Sequence, residues 1–151
     1  MLALALMLCT LGVLVGCGKS DEDAVMSTAE VEALMHEEGY EILEDEGLFP
    51  NTKSVSAMDK DSNWIEYYIF ETEEDARVGY TDYLGYLANN FTTTNISETK
   101  DKGKEEQALD VEKKGKVDHY IVSRIRKTLV IGVAYPETKD ALEKTITKLG
   151  Y

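Results

Sequence analysis

Two cysteines, two histidines and one run of spaced acidic residues are the side chains whose types and spacing could do chemistry. The thiols are Cys9 and Cys17, and both lie in the first 17 residues. Everything after them is free of cysteine, which excludes a disulfide framework, a cysteine zinc site and a cysteine nucleophile from that part of the chain. The histidines are His36 and His119, too far apart in sequence to read as a metal pair. Ser123 follows His119 by four positions. In a strand those two side chains share a face but stand too far apart to hydrogen-bond directly, so no Ser–His pair is expected. Asp59-Lys60-Asp61-Ser62-Asn63 matches the opening of a calcium loop, with Asp59, Asp61 and Asn63 as the ligand candidates. The full loop wants glycine next and glutamate at its twelfth place, where Trp64 and Phe70 stand instead. A closed calcium-binding loop is therefore excluded, and a polar turn is the competing reading. No nucleophile elbow, phosphate-cradling glycine loop or HExxH motif is present, and no cofactor is implied.

Met1 to Val15 is apolar almost throughout, and no charged residue occurs before Lys19. A run of this kind suits the central region of a signal peptide. It leads directly into Leu14-Val15-Gly16-Cys17, which resembles the lipobox of bacterial lipoproteins. The chemistry is consistent: the run partitions into a bilayer, a small residue before the cut admits a peptidase, and a thiol at the membrane surface can be alkylated. The resemblance implies a signal peptide over 1–16, diacylglycerol on the Cys17 sulfur, an acyl chain such as palmitate on its new amino group, and a lipidated tether over 17–26. An uncleaved membrane-spanning helix and an ordinary signal peptide are the alternatives. The departure from the class is the lack of Lys or Arg ahead of the apolar run, which an internal Met as first residue would explain.

The remaining charge is unevenly spread. Residues 18–99 carry four basic and 20 acidic side chains, a net of −16, whereas residues 100–151 net +3. An acidic body of this kind repels phosphates, which disfavours nucleic acid, and repels anionic headgroups, which leaves membrane contact to the lipid on Cys17. A solvated acidic surface explains the charge simply; an acidic face that meets a basic partner is the functional reading.

The elements that must position these residues follow from periodicity and caps. Ser27-Thr28-Ala29-Glu30 is a capping box, and Val31, Leu34 and Met35 continue at helical spacing to a stop at Gly39. Residues 40–45, 55–58 and 64–70 read as strands, with 59–63 as a hairpin turn. Thr72 caps a helix that places Ala76, Tyr80, Tyr83, Leu84, Leu87 and Phe91 on one face. Residues 92–105 are polar and Thr/Lys-rich and read as a mobile loop. Residues 108–113, 117–125 and 129–135 read as strands, with Lys114-Gly115 a hairpin turn. Pro136 is expected to open a last helix carrying Ala141, Leu142, Thr145, Ile146 and Leu149 inward.

Phe70-Glu71-Thr72-Glu73-Glu74-Asp75-Ala76 resembles Tyr135-Pro136-Glu137-Thr138-Lys139-Asp140-Ala141 with one residue displaced, a faint sign of two hairpin-plus-helix repeats. The expected fold is one α+β domain over 27–151: a single antiparallel sheet with helices packed on one face. The segment from Gly115 to the final Lys-Leu-Gly-Tyr also resembles the closing part of small lipoproteins of Gram-positive bacteria whose function is not established.

Nine tyrosines and one tryptophan are many for this length. Tyr67 and Tyr68 must point to opposite faces of their strand. Trp64, Tyr67 and Tyr68 are therefore the candidates for an aromatic face that binds a protein or glycan partner; a strand covered on both sides is the competing reading. The expectation is a non-enzymatic binding or accessory module held at the extracytoplasmic face of the cell membrane. An envelope hydrolase using a carboxylate pair is the rival.

Overall fold

The computed structural model describes residues 25–44, 47–101 and 103–151. The Leu14–Cys17 motif and most of the expected tether lie outside the described residues. Ten elements are present among the described residues: α1 (Thr28–Glu37), β1 (Glu41–Leu43), β2 (Lys53–Met58), β3 (Trp64–Ile69), α2 (Glu73–Asn90), β4 (Thr92–Asp101), β5 (Lys104–Lys113), β6 (Lys116–Ile125), β7 (Thr128–Ala134) and α3 (Lys139–Lys148). The strands form one antiparallel sheet in the order β1-β2-β3-β7-β6-β5-β4. The α+β class with a single antiparallel sheet is therefore as expected. Among the described residues no helix is long and apolar enough to cross a membrane.

The helices do not share one face. Val31 and Met35 of α1 and Leu142 and Ile146 of α3 pack with Ile65, Tyr67, Ile121 and Val130. Ala76, Tyr80 and Leu87 of α2 pack with Tyr68, Val122, Leu129 and Ile131, which alternate with the first set along the same strands. The sheet is thus a middle layer, with α1 and α3 on one side and α2 on the other. The connections differ accordingly. Three residues (Phe70, Glu71 and the cap Thr72) lead from β3 to α2, and four (Tyr135 to Thr138) lead from β7 to α3. Phe70 stays buried with α2, while Tyr135 is exposed and the chain crosses to the opposite face. The one-residue displacement seen in the sequence repeat falls in this connection. Both halves are hairpin-plus-helix units, but they are not related by symmetry.

Local signals explain most boundaries. Ser27 and Glu30 form the reciprocal capping box, and Gly39 leaves α1 with a positive φ of 84°. Lys114 and Gly115 both take positive φ, the geometry of a tight two-residue hairpin turn. Pro136 does not open α3. It lies in a turn closed by the Thr138 N–H donating to the Tyr135 carbonyl, and the helix begins three residues later, at Lys139.

Residues 92–101 are a strand, not a loop. β4 pairs with β5 along its length and is exposed almost throughout. An edge strand with water on its faces needs no apolar alternation, so its composition resembles that of a loop. Thr92 to Thr94, Ile96 and Thr99 supply the β-branched preference that the polarity concealed. A bulge between Thr94 and Ser97 interrupts the pairing, with Asn95 at φ 51°.

On the α2 side the sheet is covered by two pieces. The α2 helix crosses β7, β6 and β4. The segment around Gly47–Phe49 closes over β3: Leu48 N–H donates to Tyr68 Oη at 2.9 Å, and Phe49 meets the Tyr68 ring edge-on at 4.9 Å. Trp64 and Met58, at the start of β3 and the end of β2, are outside the cluster these two pieces build, while Val133 and Tyr120 pack against its edge.

Candidate functional site

Trp64 begins β3 and pairs with Met58 of β2 on one side and Val133 of β7 on the other. In antiparallel strands directly opposed residues share a face. Trp64, Met58 and Val133 therefore stand in one row on the α2 side. The row ends at Glu41, opposite Met58, and at Tyr120, opposite Val133. Around Trp64 the surface folds into a groove of about 310 Å³, lined chiefly by Leu43, Met58, Trp64, Val133 and Tyr135, with Ser62 and Asp118 as its polar members. Met58 and Tyr135 are 40% and 45% exposed, Trp64 is half-buried, and its indole Nε1 is buried with no hydrogen-bond partner. The site is apolar and aromatic, open to solvent, and carries a carboxylate.

The other two aromatic candidates are not at a surface. Tyr67 and Tyr68 are 2% and 0% exposed and sit in opposite cores. Tyr67 Oη donates to the Met26 carbonyl at 2.9 Å and its ring meets Tyr151 edge-on. Burial pushes the Tyr67 phenol up to about 12, against a smaller opposing effect of a hydrogen bond with Thr128. The expectation that one of this pair joins a docking face is corrected: helices cover both sides of the sheet, so each ring has a core to enter.

The calcium candidates are corrected as well. Asp59 Oδ1 accepts from the N–H groups of Asp61 and Asn63 at 2.9 Å, and Oδ2 accepts from Asn63 Nδ2 at 2.7 Å. Asn63 is fully buried, and its Oδ1 accepts from the Thr138 hydroxyl at 2.5 Å. The Asp59 oxygens close the hairpin turn and the Asn63 oxygen fastens it to the approach to α3, while the Asp61 carboxylate lies 3.6 Å from Lys60 Nζ. Among the described residues no three His, Cys, Asp or Glu side chains converge as a metal site.

His36 is exposed on α1 and His119 is buried, 7% exposed. His119 Nδ1 lies 2.8 Å from Asp110 Oδ1, and Asp110 Oδ2 accepts from Asn95 Nδ2 at 2.7 Å. An ionised carboxylate can only accept, so Nδ1 carries the hydrogen. Hydrogen bonds from Asn95 first and His119 second hold the Asp110 carboxyl below the usual carboxylate range. Nε2 has no hydrogen-bond partner; Glu143 Oε1 on α3 lies 3.8 Å away. Ser123, four residues along β6, is no partner for it, as the strand spacing requires. The Lys114-Gly115 turn sets Lys113 opposite Lys116, and the same register places Asp110 opposite His119. That contact was legible once the turn was recognised. Asn95 was not, because its reach depends on the bulge in β4.

This chain of contacts fastens three strands and predicts a measurable loss. Asp110→Ala leaves the buried imidazole N–H unpaired, and about 1–3 kcal/mol of stability should disappear, read from the urea midpoint at neutral pH. A change below a few tenths would show that His119 finds another acceptor. The lowered Asp110 value adds a sign: its contribution is present above about pH 4 and is lost as pH falls through the lowered value.

Two of the other hollows border the connection from β3 to α2. One, of about 720 Å³, lies among Val25, Met26, Lys53, Ile69, Glu71, Glu73, Arg126 and Lys127. It is larger than the Trp64 groove but mixed in charge, and its wall includes Val25, where the described residues begin. The other places Glu71, Asp75 and Asp82 beside Phe70. This is where a carboxylate pair could be sought. All three are exposed, and Asp75 is held by the Thr72 hydroxyl at 2.6 Å in the α2 cap.

Comparison with known proteins identifies no relative. No family model, no curated protein and no solved structure matches the chain. The functional reading rests on the residues and their geometry.

Proposed function

We propose that this chain is a membrane-anchored extracytoplasmic lipoprotein whose body is a non-enzymatic binding or accessory module. The single observation that carries the binding role is the Trp64 groove: an aromatic, apolar hollow that neither α2 nor the 47–49 segment covers. Concave apolar surface with a few polar groups at its margin is what binding sites are made of. The address is supported by the apolar run and by Leu14-Val15-Gly16-Cys17, with diacylglycerol on Cys17 and acylation of its amino group. In this reading the lipid holds the molecule at the outer face of the cell membrane and the groove meets a protein or glycan partner.

Detergent-phase partition with intact mass measurement tests the anchor. The wild-type protein is expected in the detergent phase with lipid on Cys17, and Cys17→Ser in the aqueous phase or with its leader uncut. Mature protein with a free thiol would refute lipidation. The groove has its own reporter, because Trp64 is the sole tryptophan. An occupant seated there should shift its emission.

A further inference from the structure

We propose that the Trp64 groove accepts a cationic side chain, a lysine or arginine on a basic peptide segment of a partner. This rests on the reading of the groove as a binding site and adds the chemistry of its occupant. Three observations point the same way. The groove carries two aromatic rings, Trp64 and Tyr135, both partly open to solvent. The face of an aromatic ring attracts a cation, most strongly for tryptophan.

Next, the charged side chain that lines the groove is a carboxylate, Asp118, and the row of opposed residues through Trp64 ends in a second, Glu41, on the same face. No lysine or arginine lines it. An anionic or sulfated ligand would meet repulsion there, and a purely apolar one would leave Asp118 without a counter-charge. Finally, Leu43, Met58 and Val133 supply apolar surface on which a lysine or arginine stem can lie while its charged end stays polar. The charge of the chain agrees: residues 18–99, which supply Trp64, Met58 and Leu43, net −16, so a basic segment is drawn to this half of the protein.

The test uses the full-length protein in detergent micelles and three blocked pentapeptides of glycine with Lys, Glu or Met at the centre. Binding is read from the emission of Trp64 and from its single indole N–H resonance. The Lys peptide is expected to bind at least about fivefold more tightly than the other two, with the difference shrinking in high salt. Asp118→Asn and Tyr135→Ala alter half-exposed and exposed positions and should retain the fold; each should remove most of the Lys preference, read as the ratio of Lys to Met affinity within each variant. Equal binding of all three peptides, or a preference for Met or Glu, would overturn the cationic assignment while leaving the groove as a binding site. No response to any of them at millimolar concentration would overturn both the assignment and the groove, independently of the Cys17 measurement.

Discussion

Gly132→Val is expected to destabilise the domain by about 3 kcal/mol, the upper end for forcing atoms into a packed core. Gly132 lies in the middle of β7, between Ile65 and Ile121 on the neighbouring strands. A Cβ built there would meet Ile146 Cδ1 at 2.6 Å and Leu142 Cδ1 at 3.0 Å. Both side chains are buried and belong to α3, so neither can swing into solvent. Either these side-chain ends repack within the core or α3 shifts from the sheet, which strains the Lys148–Glu38 ion pair that ties it to the end of α1. Valine's preference for strands returns no more than about 1 kcal/mol. Urea unfolding measures the loss. Adding Ile146→Ala should recover part of it, because the space removed is the space the new side chain needs; a double variant as unstable as the sum of the two single changes would mean that α3 does not pack on Gly132.

Alkaline pH is expected to unfold the domain in a transition that tyrosine ionisation drives. Burial is the first cause in each of six phenols held above their ordinary value: Tyr40, Tyr67, Tyr80, Tyr83, Tyr120 and Tyr151. Tyr67 and Tyr80 are pushed to about 12. The Tyr151 hydroxyl donates to Thr128 Oγ1 at 2.5 Å inside the core, and its phenol is raised further still. The folded state favours the neutral phenol, so the stabilisation is complete below the unfolded value of about 10. It is lost as pH rises from there through the folded values. Phenolate absorbance of the buried set should therefore rise together with loss of far-ultraviolet circular dichroism. Smooth ionisation of all nine tyrosines near about pH 10 with the fold intact would show that these rings are not enclosed. Tyr67→Phe and Tyr151→Phe, which remove one ionising group each, should move the transition to higher pH unless the lost hydrogen bonds outweigh the gain.

Much of the secondary structure was legible because local signals and hydrophobic period agree. The Ser27/Glu30 box, the Thr72 cap, the Lys114-Gly115 turn and the alternation through 117–135 each depend on neighbours within a few residues. The strand over Thr92–Asp101 is hidden by its polar composition. Its order comes from backbone pairing with β5, and an edge strand in water need not advertise that pairing in its side chains.

The candidate site was only partly legible. Trp64 stood out by type, and its neighbours did not. Val133 and Tyr135 reach it because β3 pairs with β7, a partnership between strands distant in sequence that no local pattern encodes. Tyr67 and Tyr68 were grouped with Trp64 by sequence and separated from it by the layers above and below the sheet.

By itself the sequence determined the cysteine-free body, the acidic charge, the lipobox-like motif at Cys17 and the elements that local caps and periods specify. The tertiary structure alone decided which sheet face each helix covers: α2 packs on one side, and α1 and α3 pack on the other. That choice buried two of the three aromatic candidates and left the row at Trp64 open. The physical reason is that strand alternation defines two faces without saying which will be covered. Coverage depends on distant elements competing for apolar area, and only the assembled fold settles that competition.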